Sequence, residues 1–351
     1  MEEKLWEACR DGRFEEVQKL LQNPQIDINW QNQNDNLRTP FYIACQNGHI
    51  EIVKLLLNDN RIDFNKTSND GWTPFYIACG CGHIEIVKLL LNDKRVDINK
   101  APNGGWTPFH SACEKGRIEI VKLLLNDQRV DINKALNNGA TPFYIACRKG
   151  HIEVVKLLLN DSRVHMNKTT NGGNTPFYSA CYKGHIDVVK LLLCDKRVEI
   201  AQASNDGWTP FYSACSNGCA EVVKVLLNDK RVDINKATND GWTPFHRACR
   251  KGQIEIVKLL LNDNRVDINK ATNDGSTPFL LACYNGKTEV VKYLLESGKE
   301  IDINKKDDDG KTGLDYAKRN ENTDIVKLIE SFQKSPICNN FLFFFPFFKK
   351  V

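Results

Sequence analysis

A Thr-Pro pair recurs at Thr39, Thr73, Thr107, Thr141, Thr175, Thr209, Thr243 and Thr277, every step being 34 residues, and a related KTGLDYA follows at 311–317 after a step of 35. A fixed period of this length marks a unit that cannot bury its apolar face alone and is completed by stacking on its neighbours. It overrides the two or three ordinary domains that 351 residues would otherwise suggest.

The chemistry inside one period predicts two helices and a turn. Thr is a good N-cap, because its hydroxyl accepts a hydrogen bond from an otherwise orphan helical N–H. Pro suits the first helical position, where a missing N–H costs nothing. The first helix is expected over Pro40–Asn47, with Gly48 ending it in the left-handed conformation. The second, HIEIVKLLLN at 49–58, is apolar at Ile50, Ile52, Val53, Leu55, Leu56 and Leu57, a stripe broad enough for a helix packed between neighbours. RIDFNK then runs towards NDG, whose Asn/Asp-Gly chemistry favours a tight hairpin-like turn. Two helices of about ten residues are marginal in water by themselves. The fold expected is therefore an all-α solenoid of stacked units, quasi-one-dimensional in its contacts.

The stretch TPFYIACQNGHIEIVKLLLN resembles the ankyrin repeat, and the resemblance covers residues 1–333. Phe-Tyr mostly replaces the Leu-His that follows Thr-Pro in that family, although His110 and His246 keep the histidine. Cys replaces the second Ala, and NDKR-type loops such as Asn92–Arg95 replace the usual Gly, lengthening the unit to 34. The expected organisation is an N-terminal cap over about 1–35, eight full repeats, and a C-terminal cap over about 308–333 with Asp315, Lys318, Arg319 and Asn320 on a polar outer face. Residues 334–351 form an aromatic tail outside the repeats. Three readings of it stand side by side: shallow membrane contact through 341–350, folding back on the last helix, or a translated low-complexity run.

One stretch departs from the pattern. Residues 199–202 read EIAQ where other repeats have DINK, and 218–221 read GCAE where others have GHIE. Loss of Ile at Ala220 is expected to weaken core packing there by about 2–5 kcal/mol, which marks this stretch as the place for a hinge or early local unfolding.

Composition excludes several classes. A net charge of +4 lacks the dense basic patch of a nucleic-acid binder. The acidic start MEEKLWEACR does not resemble a secretory signal, and no apolar run approaches the ~20 residues of a membrane-spanning helix. Nine of the cysteines follow Ala at the same repeat position, from Cys9 to Cys283, as small buried apolar residues. An intracellular, cytoplasmic location is expected on that ground. CGCGH at 79–83 lacks the paired ligand spacing of a zinc site, and Asp63, Asp97, Asp131 and Asp233 read as turn residues. No catalytic motif is present, so neither enzyme nor cofactor is expected.

What remains are the positions that vary. In ankyrin arrays the partner lies on the concave face built from the fingers and the ends of the first helices, and the resemblance implies a monomeric scaffold that binds another protein. By position, the residue before Thr-Pro, or before Thr312 in the last unit, belongs to that face: Arg38, Trp72, Trp106, Ala140, Asn174, Trp208, Trp242, Ser276 and Lys311. Tryptophans are frequent binding hot spots, yet they could equally pack on neighbouring fingers. The last two residues of each first helix also vary and include Arg148, Lys149, Tyr182, Lys183, Arg250 and Lys251. Across the eight repeats they carry six cations and one anion, which suits an acidic partner segment. Cations at a helix C-terminus are favourable in any case, so both explanations stand.

Overall fold

Each Thr-Pro begins a helix. In this computed structural model, which describes residues 1–334, the N-cap hydroxyls of Thr39, Thr73, Thr107, Thr141, Thr209, Thr243 and Thr277 accept the backbone N–H three residues on at 3.1–3.3 Å. Gly48 ends the first full repeat's leading helix at φ 80°, its N–H donating to the Ala44 carbonyl. The expectations for the tail, 341–350 included, lie outside the described residues.

The chain forms two units, divided at Pro176. In the first, α1 (Glu2–Asp11) and α2 (Phe14–Leu21) are followed by the pairs α3 (Pro40–Asn47) and α4 (Ile50–Leu57), α5 (Pro74–Cys81) and α6 (Ile84–Asn92), α7 (Pro108–Glu114) and α8 (Ile118–Asn126), and α9 (Pro142–Lys149) and α10 (Ile152–Leu159). The second holds α11 (Pro176–Lys183) and α12 (Ile186–Cys194), α13 (Pro210–Ser216) and α14 (Ala220–Leu227), α15 (Pro244–Lys251) and α16 (Ile254–Leu261), α17 (Pro278–Tyr284) and α18 (Thr288–Glu296), and α19 (Gly313–Arg319) and α20 (Thr323–Lys334). Most helices span seven to nine residues, somewhat shorter than the ten expected. No membrane-crossing helix occurs among the described residues.

First helices pack on first helices in chain order from α1 to α9 and from α13 to α19, and second on second from α2 to α10 and from α12 to α20. This is an all-α repeat stack with no strand among the described residues. The core runs along the first helices: Phe41, Phe75, Phe109, Phe211 and Phe245 are buried, as are the recurring Ala-Cys pairs. Burial raises the Cys113 thiol far above its ordinary value, so it behaves as an apolar side chain. The fingers are simpler than a hairpin. Gly71, at φ 81°, donates to the Ser68 carbonyl, and the Ser68 N–H donates to the Trp72 carbonyl at 2.9 Å to close the turn.

Polar ties bind one repeat to the next. Asn65 donates its amide to the Arg95 carbonyl at 2.8 Å and accepts the Asp97 N–H at 2.8 Å. Asn29, Asn99, Asn133, Asn235 and Asn269 repeat this two-bond clamp one period on. The loop of the lengthened unit supplies a second tie. Arg95 is gripped by Asp93 and donates to the Leu57 carbonyl at 2.9 Å, satisfying an orphan group at the end of the preceding repeat's second helix. Those hydrogen bonds from Arg95 also lower the Asp93 pKa. A third tie is the imidazole of the turn: His83 Nε2–H donates to the Gln46 carbonyl at 2.8 Å, and His151 to Glu114 at 2.7 Å. Asp63, Asp97, Asp131 and Asp233 accept the N–H two residues on, as turn residues should.

The step from the α11–α12 repeat to the α13–α14 repeat is built differently. Ala201 stands where the clamp asparagine belongs, and Cys219 replaces the histidine, its Sγ 3.9 Å from the Tyr182 carbonyl. The expected packing loss at Ala220 needs correcting. This position is only half-buried even where it is Ile50, Ile84, Ile118 or Ile152. What this joint chiefly lacks is its polar ties. Restoring the ties with Ala201→Asn and Cys219→His should raise stability by about 1–3 kcal/mol, from hydrogen bonds worth ~0.5–1.5 kcal/mol each. Urea titrations of the variant and parent would measure it; an unchanged midpoint would show that the clamps contribute nothing net.

Candidate protein-binding surface

The residue before Thr-Pro sits at the foot of the finger, one place ahead of the N-cap. Its backbone is held from both sides: the Trp72 carbonyl accepts the Ser68 N–H, and the Trp72 N–H donates to Ser68 Oγ at 3.3 Å. Trp208 and Trp242 are tied in the same way to Ser204 and Thr238. Trp106 differs because Pro102 occupies the donor position and has no N–H to give.

Each indole lies on the residue four positions on, at the start of its own repeat's first helix. Trp72 stacks on Tyr76 with centroids 4.1 Å apart and planes 18° from parallel. Trp208 sits 5.1 Å from Tyr212, Trp106 5.8 Å from His110, and Trp242 6.1 Å from His246. Trp106 also packs against Leu136, Ala140, Tyr144 and Ile145 of the next repeat, which explains why the slot at 140 takes a small residue. All four indoles remain half-buried, each held against the ring four positions on. Between the first two fingers bearing tryptophan is a cleft of about 390 Å³ lined by Trp72, Trp106, Asp70, Pro102 and Asn103.

The basic residues are exposed but partly engaged. Lys149 pairs with Glu114 at 3.0 Å, and Lys115 approaches the same carboxylate at 3.8 Å. Lys183 lies 5.3 Å over Tyr182, a side chain 40% exposed. The Arg250 guanidinium stands 5.0 Å over Trp242, and Arg247, which the sequence did not single out, stands 5.3 Å over Trp208. Arg148 and Lys251 are exposed at the ends of α9 and α15, where cations also suit the helix terminus.

A second hollow, about 240 Å³, opens in the other unit beside Trp242. Ser276 and Leu280 stand there at positions that elsewhere carry Trp and Tyr, and the smaller side chains leave room. Its far wall, from the next repeat, is acidic and aromatic. Neither its existence nor its charge follows from one repeat read alone.

Beneath the surface, His110 and His246 are fully buried. In each, Nδ1 accepts from the N-cap threonine's N–H and hydroxyl, so the proton resides on Nε2. Burial pushes both imidazoles down from 6.5 to about 4. Of CGCGH, Cys79 is buried in the core and His83 is committed to its carbonyl, and no group of His, Cys, Asp or Glu among the described residues is placed to hold a metal.

No curated protein matches the chain as a relative. The family model described as ankyrin repeats, three copies to a model, matches residues 5–102, 60–135, 128–203, 196–272 and 264–336. Those matches tile the described helix pairs from end to end. The chain belongs to the ankyrin-repeat family.

Proposed function

We propose that the protein is a non-enzymatic scaffold that holds another protein along the faces bearing Trp72 and Trp106 in one unit and Trp208 and Trp242 in the other. Ankyrin repeats are in general protein–protein interaction modules, and one observation carries the assignment to these faces. Four large aromatic rings are each fixed against a neighbouring ring yet remain only half-buried. Such anchors lose little entropy on binding, which is what makes tryptophan effective in interfaces. Arg148, Lys149, Tyr182, Lys183, Arg250 and Lys251 extend the contact, and the exposed cations among them favour acidic side chains in the partner. The scaffold acts as a monomer, and it works in a reducing intracellular compartment, the latter supported by the buried unpaired thiols of its core.

Replacing Trp72 and Trp106 together with alanine is the test. Recovery of the partner from the source cell should fall at least about tenfold, since hot-spot truncations cost ~2 kcal/mol or more. The helical circular-dichroism signal should be retained. Unchanged recovery together with a lower melting temperature would mean that the indoles serve only to stiffen the fingers.

A further inference from the structure

We propose that the hollow between Trp242 and Tyr316 binds the cationic side chain, lysine or arginine, of an extended segment of the partner protein. This rests on the scaffold reading above and gives the partner a chemical feature opposite in sign to the acidic contacts expected elsewhere.

The hollow opens where Ser276 and Leu280 stand at positions that other repeats fill with Trp and Tyr. In the first unit the indole of Trp106 fills the space against Ala140 and Tyr144. Beside Trp242, Ser276 and Leu280 replace the larger residues, and a space of about 240 Å³ is left open. Leu280 and Leu281 are buried and form an apolar floor. Trp242 stands on one side; Tyr284, 47% exposed, and Tyr316 stand on the other, their rings 5.1 Å apart and nearly perpendicular. Around the rim are Asp274, Asp307, Asp308 and Asp309, against the single cation Arg250.

This combination matches one kind of side chain. A lysine or arginine has an apolar stem that lies on hydrocarbon and aromatic surface, and a charged head that seeks carboxylates. Aromatic faces add attraction for the head itself. Arg250 already sets a guanidinium against Trp242, so the wall accepts that geometry. Two carboxylates are occupied by the fold: Asp307 accepts the Tyr316 hydroxyl at 2.7 Å and the Lys311 N–H at 3.0 Å, and Asp274 accepts the Thr272 hydroxyl. Asp308 and Asp309 supply the further negative charge at the rim. An acidic or purely apolar occupant would leave this excess of carboxylates uncompensated.

The test uses the full chain and four acetylated, amidated tripeptides, Gly-X-Gly, in which X is Arg, Lys, citrulline or Glu. Binding is read from the indole N–H resonance of Trp242, assigned by its loss in Trp242→Phe. The Arg and Lys peptides should shift it saturably; the citrulline and Glu peptides should not. Asp308→Asn with Asp309→Asn should weaken the Arg peptide at least about fivefold, in line with two close charges at a wet surface. Ser276→Trp restores the residue that four other repeats carry and should abolish the shift by filling the hollow. The inference is overturned if no peptide shifts the resonance, if all four do so alike, or if the effect survives both variants. Such a failure would leave the scaffold reading intact wherever the Trp72 and Trp106 variant still loses its partner.

Discussion

Replacing Phe109 with alanine should destabilise the first unit by about 3–5 kcal/mol, the range for truncating a fully buried aromatic side chain. Phe109 stands at the second position of α7, with 1% of its surface exposed, and α7 is flanked by α5 and α9. A cavity here is felt on both sides, because a stacked repeat draws its stability from its own fold and from two interfaces. The consequence differs from that in a globular core. Interfaces on either side of α7 weaken together, so hydrogen-exchange protection should fall in α5, α7 and α9 and stay higher in α1. The control is Phe109→Leu, which places at 109 the residue usual in the ankyrin family. That change keeps most of the volume and should cost under ~1.5 kcal/mol. Equal losses for the two variants, or exchange that rises uniformly through α1–α10, would refute the nearest-neighbour account.

The elements set by local chemistry were legible in the sequence. Thr-Pro, Gly48 and the leucine-rich stretch placed α3 at Pro40–Asn47 and α4 within a residue of where it lies. Their signals act over three or four residues, so one repeat contains them whole. The ties between repeats were not legible for the same reason. Asn65 drew no structural reading from the sequence, yet its amide reaches Arg95 and Asp97 about one period away. The sequence showed that EIAQ was odd without showing that Ala201 removes two hydrogen bonds. It therefore directed suspicion to the lost isoleucine at 220, a position that the stack leaves half-open.

The candidate surface divides along the same line. That Trp72, Trp106, Trp208 and Trp242 share one place in the repeat was plain from spacing, but their orientation depends on ring partners at Tyr76, His110, Tyr212 and His246. Charge counting included Glu114 without showing which cation it meets. Lys149 spends part of its charge on Glu114, which belongs to the preceding repeat. The hollow beside Trp242 was hidden because it is made by what Ser276 and Leu280 lack, and by acids of the following repeat.

Acidification should destabilise both units between pH 6.5 and 4, before the carboxylates contribute. His110 and His246 are neutral in the fold, with pKa values of about 4, against an ordinary 6.5 when unfolded. Above pH 6.5 both states are neutral and the full stability is present. As pH falls the unfolded chain takes up the proton first, so stability is lost down to the folded value, by about 3 kcal/mol for each histidine. The geometry gives the reason. Desolvation is the main cause, and a proton on Nδ1 would also face the N-cap N–H that now donates to it, at 3.2 Å in His110 and 3.1 Å in His246. Asp131 near His110, and Asp267 and Asp274 near His246, pull the other way without offsetting burial. The clasp aspartates such as Asp93 are held below 3.8, so their loss belongs to a lower window. Replacing both histidines with tyrosine, the residue that Tyr42, Tyr144 and Tyr212 place at this position, removes the titrating groups and keeps an aromatic ring under the finger. Urea midpoints at pH 7 and pH 4.5 should then differ much less in the variant than in the parent. If the two proteins lose stability equally over that interval, the buried imidazoles are not the acid-sensitive element of this fold.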